Sequence, residues 1–135
     1  MTDSGSRRTT DAVVVRRRVT AFVIDAVLIV IFAAIGRASH TEGILAGLWT
    51  TSGPFLLELV VGWVLSLAWR APLAVVRTGL PVWAITVAGG MLLRAVSGQG
   101  VQVAFVIVAA SVLLLFLVGW RGLLALLRRR SRTRS

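Results

Sequence analysis

The sequence predicts an all-α protein, an integral membrane bundle of four helices. Hydrophobic residues make up 57% of the 135-residue chain and charged residues only 15%. A soluble domain of this size needs roughly 25% charged residues to cover its surface. The apolar residues fall in four long runs, and the basic residues cluster at the ends of those runs, as in proteins that cross a bilayer.

Each apolar run has the length of one membrane crossing. About 17–25 residues at a rise of 1.5 Å per residue match a hydrocarbon core ~30 Å thick. Each run must be helical, because lipid cannot satisfy backbone N–H and C=O groups. The connections are short, so we expect each helix to be antiparallel to the next. The runs extend from about Val19 to Gly36, Leu45 to Trp69, Leu80 to Val96 and Val103 to Trp120, with connections at 37–44, 70–79 and 97–102.

The organisation along the chain follows from these runs. Residues 1–18 form a basic cytoplasmic N-terminal tail, whose first eleven residues are predicted to be disordered. Residues 19–122 form the four-helix transmembrane domain, and residues 123–135 form an arginine-rich C-terminal tail lying on the cytoplasmic lipid surface. A cleaved signal peptide is the alternative for the first run. That run is longer than a typical apolar core of ~7–15 residues and carries Asp25 in its middle, which argues against cleavage.

The arginines predict the orientation. All fifteen basic residues are arginine, and thirteen of them share one side if the N-terminus is cytoplasmic, leaving Arg37 and Arg94 on the other. Basic residues are retained in the cytoplasm, so both termini are expected inside the cytoplasmic membrane. The net charge of +10 would also suit a protein that binds nucleic acid. However, the arginines flank apolar runs instead of forming one basic face, so no nucleic-acid partner is expected. The expected partners are membrane lipids, a second copy of the chain or a larger membrane complex.

Polar side chains inside the predicted spans are the first candidates for function. Ionisable groups at mid-depth cost about 2.5–3.5 kcal/mol on insertion scales and usually face the interior of the bundle. One hypothesis is a polar seam for protons or a small solute. The alternative is structural: Arg94 pairs with Glu58 and fixes the helix register, while Asp25 hydrogen-bonds a neighbouring helix. Arg94 could instead extend its long stem to the outer headgroups. The intramembrane candidates are Asp25, Thr51, Glu58 and Arg94.

The outer connections hold the densest polar cluster. Its two arginines could clamp a phosphate or carboxylate through paired hydrogen bonds. The alternative is that the cluster caps helix ends at the water interface. Cysteine is absent and histidine occurs once, so we expect no metal site and no cofactor. No catalytic nucleophile stands out either, and a non-enzymatic membrane module is the leading hypothesis. The candidates for binding an anion or a lipid headgroup are Arg37, His40, Glu42 and Arg94.

An internal repeat is a further hypothesis. A shift of 57 positions aligns Arg37-Ala38 and Gly43 with Arg94-Ala95 and Gly100, and aligns Val61-Gly62-Trp63 with Val118-Gly119-Trp120. A duplication would make two parallel helical hairpins related by an axis along the membrane normal, a symmetry that some transporters use.

Several motifs together resemble a known family. They are Gly36-Arg37 with His40, Glu42 and Gly43; Pro54-Phe55; Trp69-Arg70 with Pro72; Gly79 with Trp83 and Thr86; Gly90-Met91-Leu92-Leu93-Arg94; Gly98 with Gly100; Phe105 to Ala109; and Gly119-Trp120-Arg121. This pattern, over about residues 20–122, resembles the uncharacterised membrane-protein family called domain of unknown function 3054. The resemblance implies a four-helix membrane domain and implies no activity. Glu58 lies outside the pattern.

The small multidrug transporters are a rival class for mechanism. They are four-helix proteins of similar length with a carboxylate in the first helix, a part that Asp25 could play. Their dual-topology members need nearly balanced loop charges, whereas the arginines here are strongly one-sided. The alternative function is therefore a small proton- or solute-coupled transporter, or a channel subunit, using Asp25 and Glu58.

Overall fold

The computed structural model describes residues 3–37 and 44–134, which are almost wholly helical. The helices are α1 (Asp3–Arg37), α2 (Ile44–Leu65), α3 (Leu80–Val96), α4 (Val103–Leu113) and α5 (Gly119–Thr133). A π-helical turn at Leu114–Val118 joins α4 and α5 into one continuous helix. Between α2 and α3 lie a short 3-10 turn at Ala68–Arg70 and a π-helical turn at Val75–Gly79.

The predicted fold class is confirmed. Within the described residues, four helical segments are long and apolar enough to cross a membrane. They are Ser4–Arg37, Leu45–Leu65, Val75–Val96 and Val103–Thr133. Pro81 lies in the first turn of α3, where its missing N–H leaves no hydrogen bond unmade.

The helices pack as a ring around a common core. Helix α2 packs against α3 and α1, and α4 closes the ring by contacting α1 and α3. Buried residues recur every fourth position, which places them on one helix face. In α1 this stripe contains Ala21, Asp25 and Ile29, and in the last helix it contains Leu113, Leu117 and Arg121. Each stripe therefore carries one charged residue into the core.

Glycines let α2 and α3 approach closely. A methyl group on Gly90 would overlap the ring of Phe55, and one on Gly89 would overlap the side chain of Glu58. Small residues at a helix interface allow backbones to approach in lipid, where packing drives association. The paired glycines at the middle of α3 are thus a packing device, and they position Glu58 against the neighbouring helix.

The N-terminal end of the chain corrects the sequence prediction, and the C-terminal end extends it. The prediction of disorder is wrong from Asp3 onward, because α1 begins there and continues into the first span. At the other end, α5 continues through the predicted tail as far as Thr133. Adding residues to a helix that already exists avoids the cost of nucleation. The hydroxyls of Thr9 and Thr10 also donate hydrogen bonds to carbonyl oxygens of the preceding turn.

The α3–α4 connection turns at two glycines. Gly98 and Gly100 have φ angles of 77° and 80°. This left-handed region is readily accessible to glycine and unfavourable for residues with a Cβ atom. The two glycines therefore allow a short turn that brings α4 back antiparallel to α3.

Candidate functional site

A buried polar cluster joins the first helix to the last. Asp25 and Arg121 are both 0% exposed. Arg121 Nη1 donates to Asp25 Oδ1 at 2.8 Å, and Arg121 Nη2 donates to Asp25 Oδ2 at 2.7 Å. The indole N–H of Trp63 donates to Oδ2 at 3.0 Å, and that of Trp120 donates to Oδ1 at 2.9 Å. We refer to Asp25, Trp63, Trp120 and Arg121 as the Asp25 cluster.

The rest of the Arg121 guanidinium is also bound. Its Nε donates to the carbonyl oxygen of Pro72 at 2.9 Å, and its Nη1 donates to that of Leu117 at 2.7 Å. Leu117 lies in the π-helical turn between α4 and α5. A Cβ atom on Gly79 would meet the Arg121 side chain at 3.3 Å, so a residue without a side chain lies beside it. The connection between α2 and α3 thus completes the arginine site.

Sequence reasoning missed Arg121 as a functional residue. Asp25 was expected to hydrogen-bond a neighbouring helix, and it does, but Arg121 was counted among the cytoplasmic arginines. A signal was available, because Ala109, Leu113 and Leu117 form a stripe at intervals of four that continues to Arg121. Helical periodicity identifies the face on which a side chain lies, whereas a charge count does not.

The chemistry of the Asp25 cluster is that of a structural anchor. An ionised carboxylate has about four lone-pair sites, and four N–H groups occupy those of Asp25. Paired arginine–carboxylate hydrogen bonds are strong and geometrically specific. A carboxylate held in this way is suited to fixing the positions of the helices that contact it.

The two tryptophans of the cluster also bear on the repeat hypothesis. Trp63 and Trp120 are related by the 57-residue shift, and they bind the two oxygens of the same carboxylate. Their contacts agree with two related hairpins around one acceptor, while duplication itself stays a prediction.

A second polar cluster lies at the opposite end of the bundle, where α1 and α3 end and α2 and α4 begin. The Nε of Arg37 donates to Thr51 Oγ1 at 2.9 Å, and the guanidinium lies against Gly47. Gly47 and Thr51 both lie in the first half of α2. Arg37 thereby ties the end of α1 to the next helix.

Arg94 makes different contacts from those predicted. Its Nη1 donates to Gln99 Oε1 at 2.9 Å, and its Cζ lies 4.3 Å from the ring centroid of Phe105. The prediction that Arg94 pairs with Glu58 is wrong, because Gln99 in the α3–α4 connection and Phe105 in α4 supply its contacts. Among the described residues, the buried Nε of Arg94 has no hydrogen-bond partner. The positive charges of Arg37 and Arg94 are close enough to repel each other.

An open groove leads away from this cluster along α2. Trp49, Pro54, Leu57 and Val60 line it with other residues of that helix, and Gln99 borders it. Since Gln99 accepts the hydrogen bond from Arg94, the apolar groove has a polar margin beside a guanidinium. We refer to Arg37, Thr51, Arg94 and Gln99 as the two-arginine cluster.

The other predicted residues have different outcomes. His40 and Glu42 lie outside the described residues. Glu58 is half-buried against Gly89, and it makes no hydrogen bond or ion pair within the part of the chain that the structure describes. Within residues 3–37 and 44–134, no three carboxylate or imidazole side chains come together as metal ligands.

Comparison with known proteins agrees with the sequence resemblance. No curated protein and no solved structure matches the chain. A family model described as "Protein of unknown function (DUF3054)" matches residues 22–124, which include every member of both polar clusters. With most of its length and at least part of each helical segment covered by that match, the chain belongs to the DUF3054 family.

Proposed function

We propose that this chain is a non-enzymatic module of the cytoplasmic membrane that binds an anionic headgroup at the two-arginine cluster. The observation that carries the proposal is that Arg37 and Arg94 lie at the same end of the bundle, and that the buried Nε of Arg94 has no hydrogen-bond partner among the described residues. Two neighbouring guanidinium groups repel each other until an anion lies between them, so a phosphate or carboxylate would stabilise this arrangement.

The helix ends favour the same ligand. Helices α2 and α4 begin at this end of the bundle, and their first N–H groups have no partner within the helix. The N-terminal end of a helix carries a partial positive charge and attracts anions. The dipoles of both helices therefore add to the field of the two arginines.

The groove along α2 favours a lipid as the source of the anion. A phospholipid could place an acyl chain over Pro54, Leu57 and Val60 while its phosphate reaches Arg94 beyond Gln99. A free phosphate would use the arginines and leave the groove unchanged. Binding energy from the groove thus distinguishes a lipid from a soluble anion.

Native mass spectrometry of the full chain tests the proposal. The protein is incubated in detergent with phosphatidylglycerol, with phosphatidylcholine or with inorganic phosphate. We expect retention of phosphatidylglycerol over phosphatidylcholine and a weaker preference in the double variant R37Q/R94Q. The variant R70Q/R77Q is a matched control, since it removes two exposed arginines from the opposite end of the bundle. Equal binding by both variants contradicts the proposal, and competition by phosphate alone assigns the site to a free anion.

Proton-coupled transport is a second candidate, favoured by one observation. Glu58 is half-buried in a helix that can cross a membrane, and no described side chain neutralises it. Polar and ionisable side chains inside a membrane span often mark the path of an ion or a small solute, so Glu58 is the residue on which a transport function would rest. This candidate rests on Glu58 rather than on Asp25, whose oxygens are held by four donors.

Proteoliposomes separate the two candidates. A pH-sensitive dye inside the vesicles reports proton entry driven by a membrane potential. Transport predicts a flux that E58Q abolishes and E58D partly retains, while R37Q/R94Q leaves it unchanged. Absence of proton flux with the wild-type protein would contradict the transport candidate and would leave the binding proposal in place.

The proposed orientation places both termini in the cytoplasm. The positive-inside rule supports it, although Arg121 is buried and no longer contributes to the count. The remaining arginines still lie mainly toward the two termini and the α2–α3 connection. The two-arginine cluster then faces the outer leaflet.

A further inference from the structure

A groove with basic margins lies between the first and last helices at the end of the bundle that carries both termini. It has a volume of about 300 Å³. Its floor includes Ile24 from α1 and Trp120 and Leu124 from the last helix. Arg16, Arg17 and Arg128 also line it, so guanidinium groups from two different helices border one apolar surface.

The helix geometry explains why these arginines meet. Arg17 precedes Asp25 by eight residues, and Arg128 follows Arg121 by seven, which correspond to about 12 Å and about 10.5 Å of helix. Because Asp25 binds Arg121 and the two helices run in opposite directions, Arg17 and Arg128 lie at a similar depth. The Asp25 cluster thus sets the level of the groove's basic margin.

A second groove, of about 200 Å³, adjoins the first. The two share Leu73, Leu124 and Arg128, and Arg129 and Arg132 line the second groove alone. Arg128 therefore stands between two apolar surfaces, each with further arginines at its margin. Arg16, Arg17 and Arg128 are exposed and make no hydrogen bond or ion pair with any described residue.

We propose that this double groove binds a phospholipid with two phosphates, of the diphosphatidylglycerol class. Charge complementarity selects an anionic occupant, and the apolar floors select one with acyl chains. Two grooves that share an arginine fit one lipid molecule with two phosphates. The acyl chains attached to each phosphate would lie in a separate groove. One phosphate lies near Arg17 and the other near Arg129, with Arg128 between them. This site is separate from the two-arginine cluster and does not depend on it.

Lipid titrations of the full chain, followed by native mass spectrometry, test this proposal. The probes are diphosphatidylglycerol, phosphatidylglycerol and phosphatidylcholine. We expect R17Q/R128Q to bind diphosphatidylglycerol about tenfold more weakly than the wild type. R8Q/R130Q removes the same charge from the same end without touching either groove and should lose less than about twofold. R37Q/R94Q should retain this binding fully, which separates the outcome from that of the proposed function.

A variant of unchanged charge tests the groove itself. Thr20 is exposed and lines the first groove, so T20F fills the space that an acyl chain would occupy. We expect weaker binding of diphosphatidylglycerol with an unchanged melting temperature. If T20F unfolds, the difference in lipid affinity between R17Q/R128Q and R8Q/R130Q tests the proposal instead. Equal losses in both charge variants, or equal affinity for lipids with one and two phosphates, would overturn the proposal.

Discussion

Asp25 and Arg121 stand 96 residues apart and face each other through two hydrogen bonds of 2.8 and 2.7 Å. The contact fixes α1 to α5, and the carbonyl of Pro72 extends it to the α2–α3 connection. One charged pair thereby sets the relative positions of three parts of the bundle, with Trp63 adding α2.

Replacing Asp25 by asparagine should strongly destabilise the fold. The variant leaves the Arg121 charge buried without a counter-ion, and breaking a buried pair from one side typically costs about 3–5 kcal/mol. Thermal unfolding in detergent, followed by far-UV circular dichroism, measures the loss. The double variant D25N/R121Q removes both charges and should recover part of the stability. An unchanged melting temperature in D25N would show that the pair does not hold the bundle together.

The tryptophan N–H groups give a second prediction. W63F and W120F keep an aromatic ring and each remove one donor to the Asp25 carboxylate, for an expected loss of about 1.5–3 kcal/mol. W83F is the matched control, since Trp83 donates to the neutral carbonyl oxygen of Ala110 at 2.9 Å. Its expected cost is about 0.5–1.5 kcal/mol. Equal losses in all three variants would mean that the carboxylate receives no special benefit from its indole donors.

Gly90 provides a test of the close approach between α2 and α3. A methyl group there overlaps the Phe55 ring, so G90A should cost about 1–3 kcal/mol through forced repacking. Gly122 has open space where its Cβ would lie. G122A should therefore be neutral or slightly stabilising, because alanine favours the helix. Similar melting temperatures for both variants would place Gly90 outside the tight contact.

Single cysteines can test the proposed orientation, because the native chain has none. We expect an impermeant maleimide to label S97C on intact cells and to label S4C and S131C only after permeabilisation. All three serines are exposed, so a negative result reflects the membrane and not burial. Labelling of S131C on intact cells would reverse the orientation.

Much of the fold could be predicted from the sequence, because the lengths of the apolar runs and of their connections depend on local chemistry. The helical structure of the two ends could not be predicted in this way. These polar segments are helical because they extend an adjacent span, and that effect overrides their local polarity.

The partners of the candidate residues could not be predicted from the sequence. Asp25 and Arg94 were singled out as polar groups in the spans, but their partners Arg121 and Gln99 were missed. Arg121 lies beside a basic segment and resembles it in composition, and only its place in the buried stripe distinguishes it. The indole N–H of Trp120, at the end of the last apolar run, likewise turns inward to Asp25. Such pairings depend on the rotation of each helix about its axis, which hydropathy does not specify.

The long separation between Asp25 and its counter-ion has a consequence for biosynthesis. A ribosome delivers the aspartate to the membrane well before it reaches the codon for Arg121, so the nascent first span waits with an unmatched acid. A transcript cut short anywhere between the two codons yields a chain that can never neutralise it. Completion of the final helix is therefore the step that supplies the counter-ion of the first helix and commits the polypeptide to its assembled form.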